Sequence, residues 1–176
     1  YQQIKVLNFP QKLGKGGAII EGFKIAAGEK IGFADADDSV EPSDIKNLFD
    51  AIDGSDGVIA SRRLSESRII SHQPIVRRFS SKVFNIIVRA LFNLDYKDTQ
   101  CGVKVFRREA IKDVLGSLSA TGFEFDVELL WKLKKRGYRI VEFPVTWKHA
   151  EGSTFRLANA PHMFVSLLKI RCRKSR

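Results

Sequence analysis

Residues 30–42 read Lys-Ile-Gly-Phe-Ala-Asp-Ala-Asp-Asp-Ser-Val-Glu-Pro, an apolar run that stops on three consecutive-range carboxylates, Asp35, Asp37 and Asp38. A short apolar run ending this way is a buried strand whose C-terminal end opens into an acidic loop. In open α/β sheets ligands bind beyond the carboxyl ends of the strands. Asp35 and Asp37 are two apart, so in an extended or turning segment both can reach one point. Two hard carboxylates suit Mg²⁺ or Mn²⁺, with substrate phosphates completing the shell. Asp is also common in solvated turns, and the pair alone supports either reading. Its place at a strand end, and the downstream sequence, favour a site.

The flanks extend this into an α/β pattern. Residues 4–9 alternate as a strand, and Gly14, Gly16 and Gly17 lead into a helix with Ile19, Ile20 and Phe23 inward. Glycines at a helix start can bring N–H groups to an anion, although a tight turn explains them without a ligand. Pro42 and Ser43 open another helix, with Ser43 as N-cap and Ile45, Leu48, Phe49 and Ile52 at helical spacing. Residues 58–61 form a strand ending on Arg62 and Arg63. The order βαβαβ predicts a mainly parallel sheet with helices on both faces. A polar, basic loop over 62–73 precedes a long helix over 75–92. A turn at 98–102 leads into a strand over 103–106 and a short helix over 109–115. The helix opening near 122 carries Glu124, Asp126 and Glu128, acids that complement a helix dipole. A last strand covers 138–145, and Pro144 places it at an edge.

Charge narrows the partners. The 176 residues carry a formal net charge of +10, which favours nucleic acid, anionic membranes or phosphorylated substrates. No basic–aromatic pattern of a nucleic-acid module is present, so nucleic acid is set aside. Between Arg62 and Lys82 stand six Lys or Arg and one acid, Glu66; this is either a solvated face or a phosphate clamp. Two cysteines, Cys101 and Cys172, make no disulfide framework and point to a reducing compartment. No apolar run reaches the ~18 residues that span a bilayer. Residues 1–158 form one domain. Residues 159–176 form a basic amphipathic tail, with Phe164, Val165, Leu167, Leu168 and Ile170 beside Lys169, Arg171, Arg173, Lys174 and Arg176. Such a tail suits an anionic membrane surface, and a frayed solvated terminus competes with that reading.

An ordered set of stretches resembles inverting glycosyltransferases of the GT-A fold, family 2, of the dolichyl-phosphate sugar synthase type. The stretches are Gly14-Lys15-Gly16-Gly17-Ala18 with Glu21-Gly22-Phe23, Asp35-Ala36-Asp37, Ser61-Arg62, Arg77-Arg78 with Ser81-Lys82, Asp98-Thr99-Gln100-Cys101-Gly102, Gly122 to Leu130 with its Phe125-Asp126-Val127-Glu128-Leu129-Leu130, and Glu142 to Val145. The Asp98 and Phe125 stretches look more like the glucosyl than the mannosyl branch. The resemblance implies a Rossmann-like GT-A sheet lacking the family's first two strands, which bind base and ribose. It implies metal-dependent transfer of a hexose from a nucleotide sugar, UDP-glucose or GDP-mannose, to a polyprenyl or dolichyl phosphate, at the cytoplasmic face of a membrane. Asp35 and Asp37 would hold Mg²⁺ or Mn²⁺. Lys15 and Gly16, with the two aspartates, would bind the donor. Arg62, Arg77 and Ser81 would receive the acceptor phosphate. Asp37, Arg62, Asp126 and Glu128 would be the catalytic set. Ser39 stands where mannosyl members often carry a Gln ligand, and Lys148 and His149 where relatives often carry Arg. The alternative is a non-catalytic membrane-surface or polyphosphate-binding domain built on a transferase fold.

Overall fold

The computed structural model describes residues 3–71, 75–149 and 160–172, without the side chains at 75–79 and 160–162. The elements are α1 (Gly14–Ile25), β1 (Lys30–Ala34), α2 (Pro42–Asp50), β2 (Gly57–Ser61), β3 (Arg68–Ile69), α3 (Ile75–Phe92), β4 (Val103–Arg107), α4 (Arg108–Leu115), α5 (Phe125–Lys135), β5 (Ile140–Pro144), β6 (Thr146–Trp147) and α6 (Ala160–Cys172).

Four strands form the main sheet in the order β1-β4-β2-β5. β2 and β5 are parallel, whereas β4 is antiparallel to both β1 and β2. The sheet is therefore mixed rather than mainly parallel. The reversal follows from where β4 begins. Gly102, just before β4, accepts a hydrogen bond from the Asp35 N–H, just after β1, at 2.9 Å. The chain thus re-enters the sheet at the acidic end and runs back. β3 and β6 pair as a separate parallel ribbon, which gives structure to part of the stretch read as a loop from its polarity. β5 lies at the sheet edge, as Pro144 implies.

Alternation along the strands divides the core between the two faces. Ile31, Ile59, Phe106 and Ile140 pack with α1, α3, α4, α5 and α6 through residues such as Phe23, Val88, Phe92, Trp131 and Leu167. Val58, Ala60, Val103 and Val105 pack with Leu48 and Ile52 of α2 and its continuation, and with Trp147. All five β2 residues are buried, the signature of a strand covered on both faces. Each fully buried large apolar side chain contributes about 1.5–3 kcal/mol.

Two local readings give way. Residues 4–9 form no strand, and Ile4 and Val6 are 67% and 75% exposed. Their alternation suits a strand, but none of the ladders among the described residues includes them. At α2 the cap is Glu41, without a side-chain hydrogen bond, and Pro42 occupies the first turn. Proline's fixed φ suits that place, which moves Ser43 inside the helix.

Candidate active site

β1 delivers Asp35 to the carboxyl end of the sheet, where three other charged side chains converge on it. Lys15, from the first turns of α1, places Nζ 3.1 Å from Asp35 Oδ1 and 2.8 Å from Asp126 Oδ2. Lys104, from β4, places Nζ 2.6 Å from Asp126 Oδ1 and donates to the Cys101 carbonyl at 2.7 Å. The chain of charge is Asp35–Lys15–Asp126–Lys104. Both lysine ammonium groups also lie near the face of Phe33, at 5.7 and 5.4 Å from its centroid, a cation–π arrangement.

Burial and pairing set the protonation states. Burial opposes the charge on Lys15, but Asp126 and Asp35 outweigh it and raise the lysine above its ordinary pKa. Burial raises the Asp35 pKa, opposed by Lys15 and reinforced by Asp126. For Asp126, burial pushes upward, but Lys104 and Lys15 prevail and lower its pKa. Asp126 Oδ2 is held by the Lys15 ammonium at 2.8 Å.

The acidic loop leaves Asp37 exposed, with Oδ1 accepting the Ser39 N–H at 3.1 Å. Asp38 takes a left-handed φ of 55° and pairs with Lys148 at 2.7 Å. Asp tolerates that conformation better than most residues. Asp35 and Asp37 offer the hard oxygens that Mg²⁺ or Mn²⁺ prefers. Among the described residues no third His, Cys, Asp or Glu completes a cluster with them. Gly102 leaves room beside Asp35, where a Cβ would overlap Oδ2. This donor set fits a divalent ion that takes further oxygens from a phosphorylated ligand.

Other site candidates are positioned differently from their sequence assignments. Gly16 brings α1 against α5: its N–H donates to Thr121 O at 2.9 Å, and an added Cβ would come 2.6 Å from Phe125 Cβ. Its role is close packing rather than a free anion donor. Arg62 holds Asp98 in a fork, Nε to Oδ2 at 2.7 Å and Nη2 to Oδ1 at 2.9 Å, and stacks 5.4 Å from the Trp147 centroid. The sequence reading sent Arg62 to a substrate phosphate; the fold gives its guanidinium an internal carboxylate. Ser81 meets Arg63, whose Nη2 donates to Ser81 Oγ at 3.0 Å and Ser81 O at 3.1 Å. The Arg77 side chain lies outside the described residues. Glu128 does not join the Asp126 cluster. It accepts from Ser119 N, Ser119 Oγ and Ala120 N at 2.9, 2.9 and 2.7 Å and pairs with Lys132 at 3.1 Å. Three of these contacts fasten the loop before α5, and the fourth lies within the helix.

Sequence reasoning missed the roles of Asp98, Arg63 and Lys104. Lys104 had a signal, a lysine inside the otherwise apolar Val103-Lys104-Val105-Phe106. It is fully buried, and a buried lysine requires a paired acid. Cys101 is buried and its thiol is pushed up to about 11, burial being the largest cause; such a thiol is inert at neutral pH.

The arrangement sets acids at the end of a strand in an α/β fold, braced by lysines from a helix start and a neighbouring strand. Residues 1–115 match Glycosyl transferase family 2. The chain belongs to that family. It is 31% identical to dolichyl-phosphate beta-glucosyltransferase of Saccharomyces cerevisiae, over 90% of this chain and 51% of that protein. It is 34% identical to the Homo sapiens protein of the same name, over 86% of this chain and 49% of that one. The chain thus spans about half the length of these relatives. A solved structure of glucosyl-3-phosphoglycerate synthase from Mycobacterium tuberculosis, in complex with Mn²⁺, UDP and phosphoglyceric acid, superposes with a TM-score of 0.65. Its identity is 18%, and the match covers 96% of this chain and 57% of that one. At that identity the likeness establishes the GT-A fold.

Proposed function

We propose that this chain carries the catalytic half of a metal-dependent, inverting transferase that moves glucose from UDP-glucose to a dolichyl-type phosphate. The observation that supports it best is the acidic strand end with its lysine bracing, in a chain about 30% identical to dolichyl-phosphate glucosyltransferases along most of its length.

Asp35 and Asp37 would hold Mg²⁺ or Mn²⁺, which when bound neutralises a leaving diphosphate. Lys15 adds its ammonium on the same side, and Asp126, backed by Lys104, positions that ammonium. A phosphate acceptor is already anionic at neutral pH, so its oxygen can attack the sugar C1 without a strong base. The protein's contribution is then alignment and charge stabilisation. Glu128 and the Arg62–Asp98 pair act as scaffold. Arg77 and Ser81, both on α3, together with Arg63, are the proposed acceptor-phosphate donors.

The acceptor would be presented at a membrane surface, at its cytoplasmic face. Among the described residues no helix is long and apolar enough to cross a bilayer. The outer side of α6 shows Phe164, Val165 and Leu168, 38–48% exposed, beside Lys169. Arg171 serves inward, donating to Leu91 O at 3.0 Å. Such a face suits peripheral contact with anionic lipid.

The decisive experiment incubates the chain with labelled UDP-glucose, dolichyl phosphate in detergent and Mn²⁺, and extracts lipid-linked label. Transfer abolished by Asp37→Ala, and absent with GDP-mannose, is the expected result. Transfer unaffected by Asp37→Ala would defeat the site assignment.

A further inference from the structure

Lys15 holds both oxygens of Asp35, one of the two carboxylates proposed as cation ligands. Its Nζ straddles the Asp35 carboxylate, 3.1 Å from Oδ1 and 3.2 Å from Oδ2, so both oxygens face one monovalent charge. The same nitrogen is 2.8 Å from Asp126 Oδ2. One ammonium is thus shared by two acids of unlike character. Asp35 is a third exposed and reachable by ions from solvent, whereas Asp126 is wholly buried. Lys15 is thus already within charge-assisted hydrogen-bond distance of Asp126, and releasing Asp35 would leave it on a partner it holds now.

We propose that Lys15 is a resident counter-ion of the acidic loop: its ammonium fills Asp35 until a divalent cation arrives, and then moves wholly onto Asp126. The inference rests on Asp35 and Asp37 being the cation ligands. Charge balance explains why the exchange is favourable. Without the ion, Lys15 and Lys104 offset Asp35 and Asp126, and Asp37 leaves the cluster with one net negative charge. With it, the dication is balanced by Asp35 and Asp37, and two lysines share Asp126. One positive charge is then left over beside the cation, which suits an incoming diphosphate. The lysine keeps the half-buried Asp35 from standing unpaired, and the exchange couples cation binding to donor binding.

Two measurements on the whole chain test this. Mn²⁺ titration by electron paramagnetic resonance compares the wild type with Lys15→Met, which removes the resident competitor. At least about tenfold tighter Mn²⁺ binding is expected in the variant, since a like charge beside the site has been removed. A charge-repulsion effect alone could also tighten binding, so the second measurement follows the lysine itself. In ¹⁵N-resolved NMR of the wild-type lysine ammonium groups, Mg²⁺ should shift the Lys15 resonance, identified by its loss in Lys15→Met. The Lys104 resonance, held by Cys101 O and Asp126, should shift less than that of Lys15. Equal Mn²⁺ affinity in the two chains, or an unmoved Lys15 resonance on saturation with Mg²⁺, overturns the exchange while leaving the metal site intact. Absence of Mn²⁺ uptake by both chains overturns the ligand assignment and the exchange with it.

Discussion

Two acids at the same end of the sheet, the buried Asp98 and the half-buried Asp35, have opposite situations. Asp98 is gripped by a guanidinium fork, accepts the Arg62 N–H at 3.1 Å and the Gln100 N–H at 3.2 Å, and has its own N–H capped by Glu142 at 2.9 Å. Burial pushes its pKa upward, but Arg62 outweighs burial and holds it at about 2. Asp35 has one shared lysine, a third of its side chain in solvent, and a pKa raised by burial. A saturated carboxylate stabilises the fold and has nothing left to offer a ligand. An under-satisfied one costs some stability and keeps its oxygens exchangeable. The contrast separates scaffold from site more sharply than the identity of the residues does, since both are Asp.

The comparison breaks most readily at Asp98. Replacing it with Ala strands a buried arginine and should lower stability by about 3–5 kcal/mol, read from urea unfolding. A loss below about 1 kcal/mol would mean that Arg62 finds water and that the pair is no anchor. Acid should reveal the same group. The folded pKa of about 2 lies below the ordinary 3.8, so this stabilisation is present above about pH 4 and lost as pH falls toward 2. An Asp98→Asn chain should lack that part of the acid transition.

Glu128→Ala should come next. It leaves the Ser119 and Ala120 N–H groups without their acceptor, at a cost of about 2–3 kcal/mol. If Glu128 were instead a catalytic acid, the variant would unfold like the wild type in urea and lose only transfer.

Asp35→Asn should have the smallest effect on stability, within about 1 kcal/mol. The sign follows from its raised folded pKa: ionising Asp35 works against folding, and that penalty grows as pH rises through 3.8 to the raised value. The Asn chain should therefore lose less stability than the wild type as pH rises through that window, while its Mn²⁺ affinity collapses. A loss comparable to that of Asp98→Ala would make Asp35 a second scaffold acid and remove the distinction.

The local alternations and breaks determined much of this protein without help from the structure. The apolar run ending at Asp35, the helical spacing over α3 and the edge position signalled by Pro144 are properties of short stretches, where periodicity alone selects the element. Four things required the tertiary structure. The direction of β4 depends on where the chain re-enters the sheet beside Asp35, which no local pattern encodes. The fate of residues 4–9 depends on whether a neighbouring strand pairs with them, because a strand is completed by its partner. The partner of Arg62 lies 36 residues away at Asp98, and that of Lys15 lies far along the chain at Asp126. Charge in a sequence names what a side chain can bind; proximity in the fold decides which of those bonds is already made, and so which groups remain for a substrate.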